Sequence, residues 1–155
     1  MWLTGQKQGN IKGGVSLAGR KDSILVLGCN HEIISPRDIA SGLPTGQRQH
    51  KPLTITKALD CSSPLLMNVL ATNENIKTLL LQFWQTDRVG KEVPLYSIRL
   101  DNASISAVRF EMPFDSTPES KQYPEHEVIS FCYGKISWTW EQGGISAQDD
   151  WQMRI

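Results

Sequence analysis

The run HEVISFCYGKISWTWE, residues 126–141, decides the fold class. Ile129, Phe131 and Tyr133 fall on odd positions, and Ile136, Trp138 and Trp140 on even ones. Each half alternates with period two, the mark of a half-buried strand. The parity changes at Gly134-Lys135, where one extra residue, a bulge, would keep both apolar sets on one face. Glycine tolerates the backbone angles a bulge needs. The run therefore predicts one long, bent strand wrapping a curved sheet, with both tryptophans packed on its core face.

Working outward, the rest of the chain is also mostly strand. Residues 2–4 read as a short first strand, followed by a glycine-punctuated stretch. Residues 23–34 (SILVLGCNHEII) read as a longer strand interrupted near Gly28. SPRDIASGLPTGQRQ, residues 35–49, has no sustained period and reads as a long exposed loop, which in a compact domain points to function or mobility. In HKPLTITKAL, residues 50–59, Leu53, Ile55 and Lys57 share one face and Thr54 and Thr56 the other. Residues 76–86, 93–100 and 103–112 read as a three-strand meander turning at DRVGKE and at Asp101-Asn102. Residues 113–125 read as a polar, proline-rich surface loop, and the tail GGISAQDDWQMRI as loop with a short last segment. About eight strands and one helix predict a small antiparallel barrel or sandwich. Leu79, Leu80 and Leu81 make one strand apolar on both faces, so helix, loop or another subunit must cover the surplus.

The one helix starts inside LDCSSPLLMNVL, residues 59–70. Ser63 reads as its N-cap and Pro64 as its first residue. Leu65, Leu66, Val69 and Leu70 recur at helical spacing and are expected to be buried, while Asn68 faces outward. Thr72, Asn73 and Asn75 stop the helix.

With 155 residues and 39% hydrophobic composition, the chain fits one domain with its own core. No apolar run is long enough to span a bilayer, so no membrane insertion is expected. The opening MWLTGQKQGN lacks the apolar run and small-residue cleavage site of a signal peptide, which predicts synthesis in the cytoplasm and means that any export must bypass the usual signal. Net charge is zero, which argues against a nucleic-acid partner. That zero conceals an asymmetry. Residues 1–110 carry 13 basic and 8 acidic side chains, net +5; residues 111–155 carry 3 and 8, net −5. Unlike patches on one chain suit head-to-tail contacts between copies, but from charge alone mutual neutralisation within one fold is the favoured reading.

Chemistry is sparse. No G-x-S-x-G, P-loop or G-x-G-x-x-G frame occurs. Cys29, Cys61 and Cys132 read as reduced thiols at no metal-ligand spacing. In CNHE, Cys29 and His31 share a strand face, and His50 or His126 could supply a third ligand, yet nothing in the spacing requires a metal or a catalytic pair. Glu125 and Glu127 around His126 read as a solvated strand start. Arg48, His50 and Lys51 beside the long loop suit a protein contact better than nucleic acid. No enzyme, cofactor or metal assignment follows.

Three segments carry a family resemblance. MWLTGQKQGNIKGG resembles the opening of Hcp, the tube-forming protein of bacterial type VI secretion. HKPLTITKALDCSSPLLMNVLA resembles the family's H-x-P, K-x-x-D-x-S-S-P strand–helix segment, with Cys61 where relatives carry lysine or a polar residue. KISWTWE resembles its closing strand at Lys135, Ile136 and Trp138. The resemblance spans nearly the whole chain. It implies a closed antiparallel β-barrel of two sheets with one helix at its side, similar to phage tail-tube proteins. It implies homohexameric rings stacked into an inner tube, with spike, contractile sheath and baseplate proteins as partners and effector proteins in the lumen. The long loop is then placed to bridge adjacent rings through Gly42, Leu43, Pro44, Thr45, Gly46, Gln47, Arg48 and Gln49. The helix, through Ser63, Pro64, Leu65, Leu66, Val69 and Leu70, becomes a packing and interface element.

Overall fold

The computed structural model describes residues 1–114 and 124–151, so most of the expected polar loop at 113–125 lies outside the described residues. Ten strands and one helix follow in order: β1 (Trp2–Gly5), β2 (Gly9–Ile11), β3 (Gly28–Asn30), β4 (Ile33–Ile34), β5 (Gln49–His50), β6 (Leu53–Ala58), α1 (Ser63–Ala71), β7 (Ile76–Thr86), β8 (Glu92–Glu111), β9 (His126–Trp140) and β10 (Ile145–Asp150). The antiparallel ladder runs β2-β1-β7-β8-β9-β6-β3, and β4 pairs β5 separately.

The long strand of the opening motif is β9, and its geometry differs from the expectation. β8 lines one edge of β9. The other edge is shared: His126 to Phe131 pair with β6, and Lys135 to Trp140 pair with β10. In the gap between the two partners sits Trp151, whose backbone N–H donates to Gly134 O (3.3 Å) and whose Nε1–H donates to Tyr133 O (2.5 Å). No bulge occurs at Gly134: the β8–β9 register is unbroken from Tyr96↔Trp140 to Ile105↔Phe131. β8 changes buried parity at the matching place, from Ile98 and Leu100 to Ala103 and Ile105. Two neighbours that switch faces together need no extra residue. The register shift lies instead between Ile105 and Ala107. Trp138 packs partly against the core, but Trp140 is exposed.

β8 is one strand where a hairpin was expected at Asp101-Asn102. Asn102 takes φ 54 inside the strand, and the ladders continue through Asp101↔Thr78 and Asp101↔Lys135. The left-handed conformation that asparagine tolerates serves here as a kink within a continuous strand.

The core is built of cross-strand rows. Leu3, Leu79, Leu100 and Ile136 pair in sequence across β1, β7, β8 and β9, all essentially inaccessible. Leu53, Phe131 and Ile105 make a second row. Each such side chain contributes about 1.5–3 kcal/mol by burial.

A closed barrel was expected, but the backbone ladder is open: β2 and β3 end the path and do not pair with each other. Residues 12–27 run along that seam without strand structure, where residues 23–34 were expected to be largely strand. Ile24 enters the core and Val26 packs partly against it, whereas Leu25 and Leu27 are exposed. The segment is tied by Met1 N–H to Ile24 O (2.8 Å) and Leu27 N–H to Thr56 O (2.7 Å). Gly13 lies so close that a Cβ there would meet Ser23 O at 2.4 Å.

The helix starts one residue earlier than expected. Ser62 is the cap position and Ser63 the first helical residue. Ser62 makes no side-chain cap; its Oγ donates to Asp60 Oδ1 (2.5 Å). Asn73 ends the helix at φ 49, and Glu74 N–H closes on Val69 O (2.9 Å). Leu66 and Val69 are buried and Leu70 packs beside them, but Leu65 is 40% exposed. Positions 66, 69 and 70 form one i, i+3, i+4 stripe, and Leu65 falls a hundred degrees off it.

Candidate assembly surface

The expected loop at 35–49 is the outer half of a hairpin arm. Its legs pair from Gly28↔Thr56 through Asn30↔Thr54, Ile33↔His50 and Ile34↔Gln49 to a bridge between Arg37 and Pro44. The tip holds its own shape. Asp38 Oδ2 accepts from Ser41 N–H (2.8 Å) and Ser41 Oγ (2.6 Å), and Asp38 N–H donates to Leu43 O (2.9 Å). Arg37 Nη1 donates to Gly42 O (3.2 Å), and Gly42 supplies the turn's φ of 71. Ile39 and Leu43 project from this turn, Ile39 fully exposed. Thr45 N–H returns to Pro36 O (3.0 Å), Gly46 and Gln47 are exposed, and Gln49 lies in β5.

Not all of the expected loop residues point outward. Arg48 grips Asp149 of β10 with both prongs, Nε at 2.5 Å and Nη2 at 2.6 Å. His50 Nε2 meets the same carboxylate at 2.7 Å, its Nδ1 meets Tyr133 Oη at 2.7 Å, and its ring stacks on Trp151. His31 Nε2 reaches the same Tyr133 oxygen at 2.7 Å. Arg48's hydrogen bonds, with a smaller one from His50, hold the Asp149 carboxyl below its usual range. Burial pushes the Tyr133 phenol upward and the His31 imidazole downward, and His50 lowers the His31 imidazole further. The CNHE run is therefore split: His31 serves this cluster, and Cys29 lies exposed on β3. His126 sits apart against Glu111 (2.8 Å) and Pro124 O (3.0 Å). Among the described residues no three side chains gather to hold a metal.

A second polar cluster lies under the helix start. Lys57, wholly buried on β6 beside Leu53 and Ile55, donates to Ser63 Oγ (2.9 Å) and Glu127 Oε2 (3.1 Å) and pairs with Asp60 Oδ1 (3.1 Å). Burial opposes ionisation of Asp60, but the hydrogen bonds from Ser62 and Lys57 win and lower its pKa. Glu127 is buried, where a solvated strand start was expected, because its partner is this lysine.

Apolar surface remains uncovered on the isolated chain. Leu17, Leu25 and Leu59 line one shallow groove, and Phe110 near the end of β8 is exposed together with Met112 and Phe114 just past it. Separated clusters of this kind mark contacts with other chains rather than a substrate pocket.

The family profile described as "Type VI secretion system effector, Hcp" matches residues 1–140. The chain belongs to the Hcp family. It is 38% identical to a "Major exported protein" of Pseudomonas aeruginosa, over all of this chain and 95% of that one. Among solved structures it is similar to one described as Hcp protein, with TM-score 0.90 and 30% identity over 97% of this chain and 95% of the other. A mutant Hcp1 of E. coli EAEC 042 gives TM-score 0.85 and 31% identity over 97% and 95%. Hcp3 of Pseudomonas aeruginosa gives 0.76 and 32% over 97% and 96%. Hcp is the secreted tube protein of type VI secretion, a structural component and not an enzyme. The H-x-P and K-x-x-D-x-S-S-P residues of this Hcp chain now have physical work: His50 fastens the arm, and Lys57, Asp60 and Ser63 lock helix to sheet.

Proposed function

We propose that six copies of this chain form a ring, that rings stack into the inner tube, and that the arm makes the ring-to-ring contact through Ile39 and Leu43. The observation that carries this reading is the arm itself: a hairpin extending from the sheet, its tip fixed by internal hydrogen bonds, with two large apolar side chains presented to solvent. A rigid tip gives up little conformational entropy on docking. The expected bridging set is narrowed. Gly42, Leu43 and Pro44 lie at or beside the tip, whereas Arg48 and Gln49 belong to its fastening. Within each protomer the sheet curls into a barrel whose seam is closed by residues 12–27 instead of by a ladder. Uncovered residues such as Leu65 and Leu17, with the unlike charges of the two parts of the chain, serve contacts around the ring. The tube is made in the cytoplasm, engages spike, sheath and baseplate proteins, carries effectors in its lumen, and is expelled from the cell. The double variant Ile39→Asp/Leu43→Asp tests the stacking role. Negative-stain imaging should show intact rings and no tubes; tubes of unchanged length would refute it.

A further inference from the structure

The base of the arm carries a cluster that stacking does not use. We propose that the Tyr133 hydroxyl is a pin holding both legs of the arm to the sheet, that the pin accommodates one protonated histidine, and that a second proton releases the arm.

The geometry sets the terms. His31 stands on the outgoing leg between β3 and β4, and His50 on the returning leg in β5; both reach one oxygen at 2.7 Å. β4 and β5 pair only with each other, through Ile33↔His50 and Ile34↔Gln49. A ladder that short is marginal alone. The arm's direction is therefore set by side chains at its base: the two histidines on Tyr133, and Arg48 with His50 on Asp149.

Counting protons gives the switch. An ionised Asp149 only accepts, so His50 Nε2 donates to it. Neutral His50 then offers a bare Nδ1, which accepts the Tyr133 O–H, and the phenol oxygen accepts Nε2–H from His31. Each of the three bonds in this chain then has one donor and one acceptor. With one added proton written on His50, between the Asp149 carboxylate and the Trp151 indole face, the bonds can still be completed. Its Nδ1–H now donates to Tyr133, whose proton swings to His31 Nε2, and His31 takes the Nδ1–H tautomer. The chain of bonds has reversed and is again complete. A second proton, on His31, breaks it. Both rings then donate to Tyr133, and the phenol's own O–H has no acceptor between them. The charges that face this point are the two imidazolium rings and Arg48 against one carboxylate, Asp149; the neighbouring Cys132 thiol is exposed.

The sign follows from linkage. His31 in the closed arm is pushed below its ordinary value of 6.5, so the closed arm binds fewer protons than the released one. Closure is favoured above that value and is lost as pH falls through and beneath it. The pin stands whether or not rings stack through the arm; only its effect on tube length rests on that reading.

Hydrogen exchange on the intact assembled protein, corrected for intrinsic rates, tests the pin from about pH 7.5 to about pH 5, the range in which histidine titrates. Lys51 N–H, bonded to Glu32 O at 3.0 Å, reports on the legs. Its protection should fall about tenfold or more toward acid while β7 and β8 stay protected. His31→Gln keeps a neutral donor and should hold that protection flat across the range. Tyr133→Phe should lose it at pH 7.5. Should the phenylalanine variant fail to fold, His31→Gln decides alone. Protection of the wild-type legs that is independent of pH, or an unchanged acid loss in His31→Gln, overturns the proposal.

Discussion

Lys57 shows what a single residue does in this fold. Its ammonium is wholly buried against Glu127, Asp60 and Ser63, so β6, β9 and the helix start meet on one charge. Replacing it with methionine keeps the volume but strands two carboxylates. The expected loss is about 3–5 kcal/mol, the scale for removing one partner of a buried pair. Urea unfolding should show a lowered midpoint with an unchanged slope; a loss below about 1 kcal/mol would mean that the pair contributes nothing. The inward position of Lys57 was legible, because it shares parity with Leu53 and Ile55. Its partner was not. Glu127 sits among polar neighbours in YPEHE and looks solvated until a strand seventy residues away is laid beside it. The same holds for the arm's base: His31 and His50 stood out in the sequence, but their shared partner Tyr133 did not, and only the pairing of β3 with β6 and β6 with β9 brings the three together.

At the scale of elements, the telling case is β8. Asparagine at positive φ is turn chemistry, so Asp101-Asn102 reads as a hairpin. The strand instead continues and changes its buried face there, in step with β9 at Gly134. Periodicity revealed the change of face but not which mechanism produced it, since a bulge and a paired kink leave the same pattern in one strand. Asn102→Val, a β-branched residue forced into the left-handed region, should cost about 1–3 kcal/mol, whereas Asn102→Gly should be tolerated. Thermal unfolding of the two variants checks this, and equal melting temperatures would contradict the kink. The helix and β7 were readable nearly to the residue because their apolar spacing is regular and their ends carry proline, asparagine and turn residues. The arm was not: β4 and β5 are two residues each, too short for any period to appear, and lone Ile39 in a polar stretch gave no pattern to follow.

For the whole molecule, the isolated chain is incomplete as a folded surface. Its ladder is open at β2 and β3, its apolar surplus is spread over several separated places, and its unlike charges are divided along the sequence. A monomer of this kind is poorly protected from self-association, and closed symmetry is the arrangement that satisfies a head-to-tail contact without unlimited growth. The proposed ring would cover this surface, and the uncovered surface supplies a physical reason for it. The most direct measurement is the mass of the purified protein in solution, by light scattering coupled to size exclusion at micromolar concentration. A ring requires a species at six times 17.4 kDa, or whole multiples of it when rings stack. A stable monomer at that concentration would contradict ring assembly.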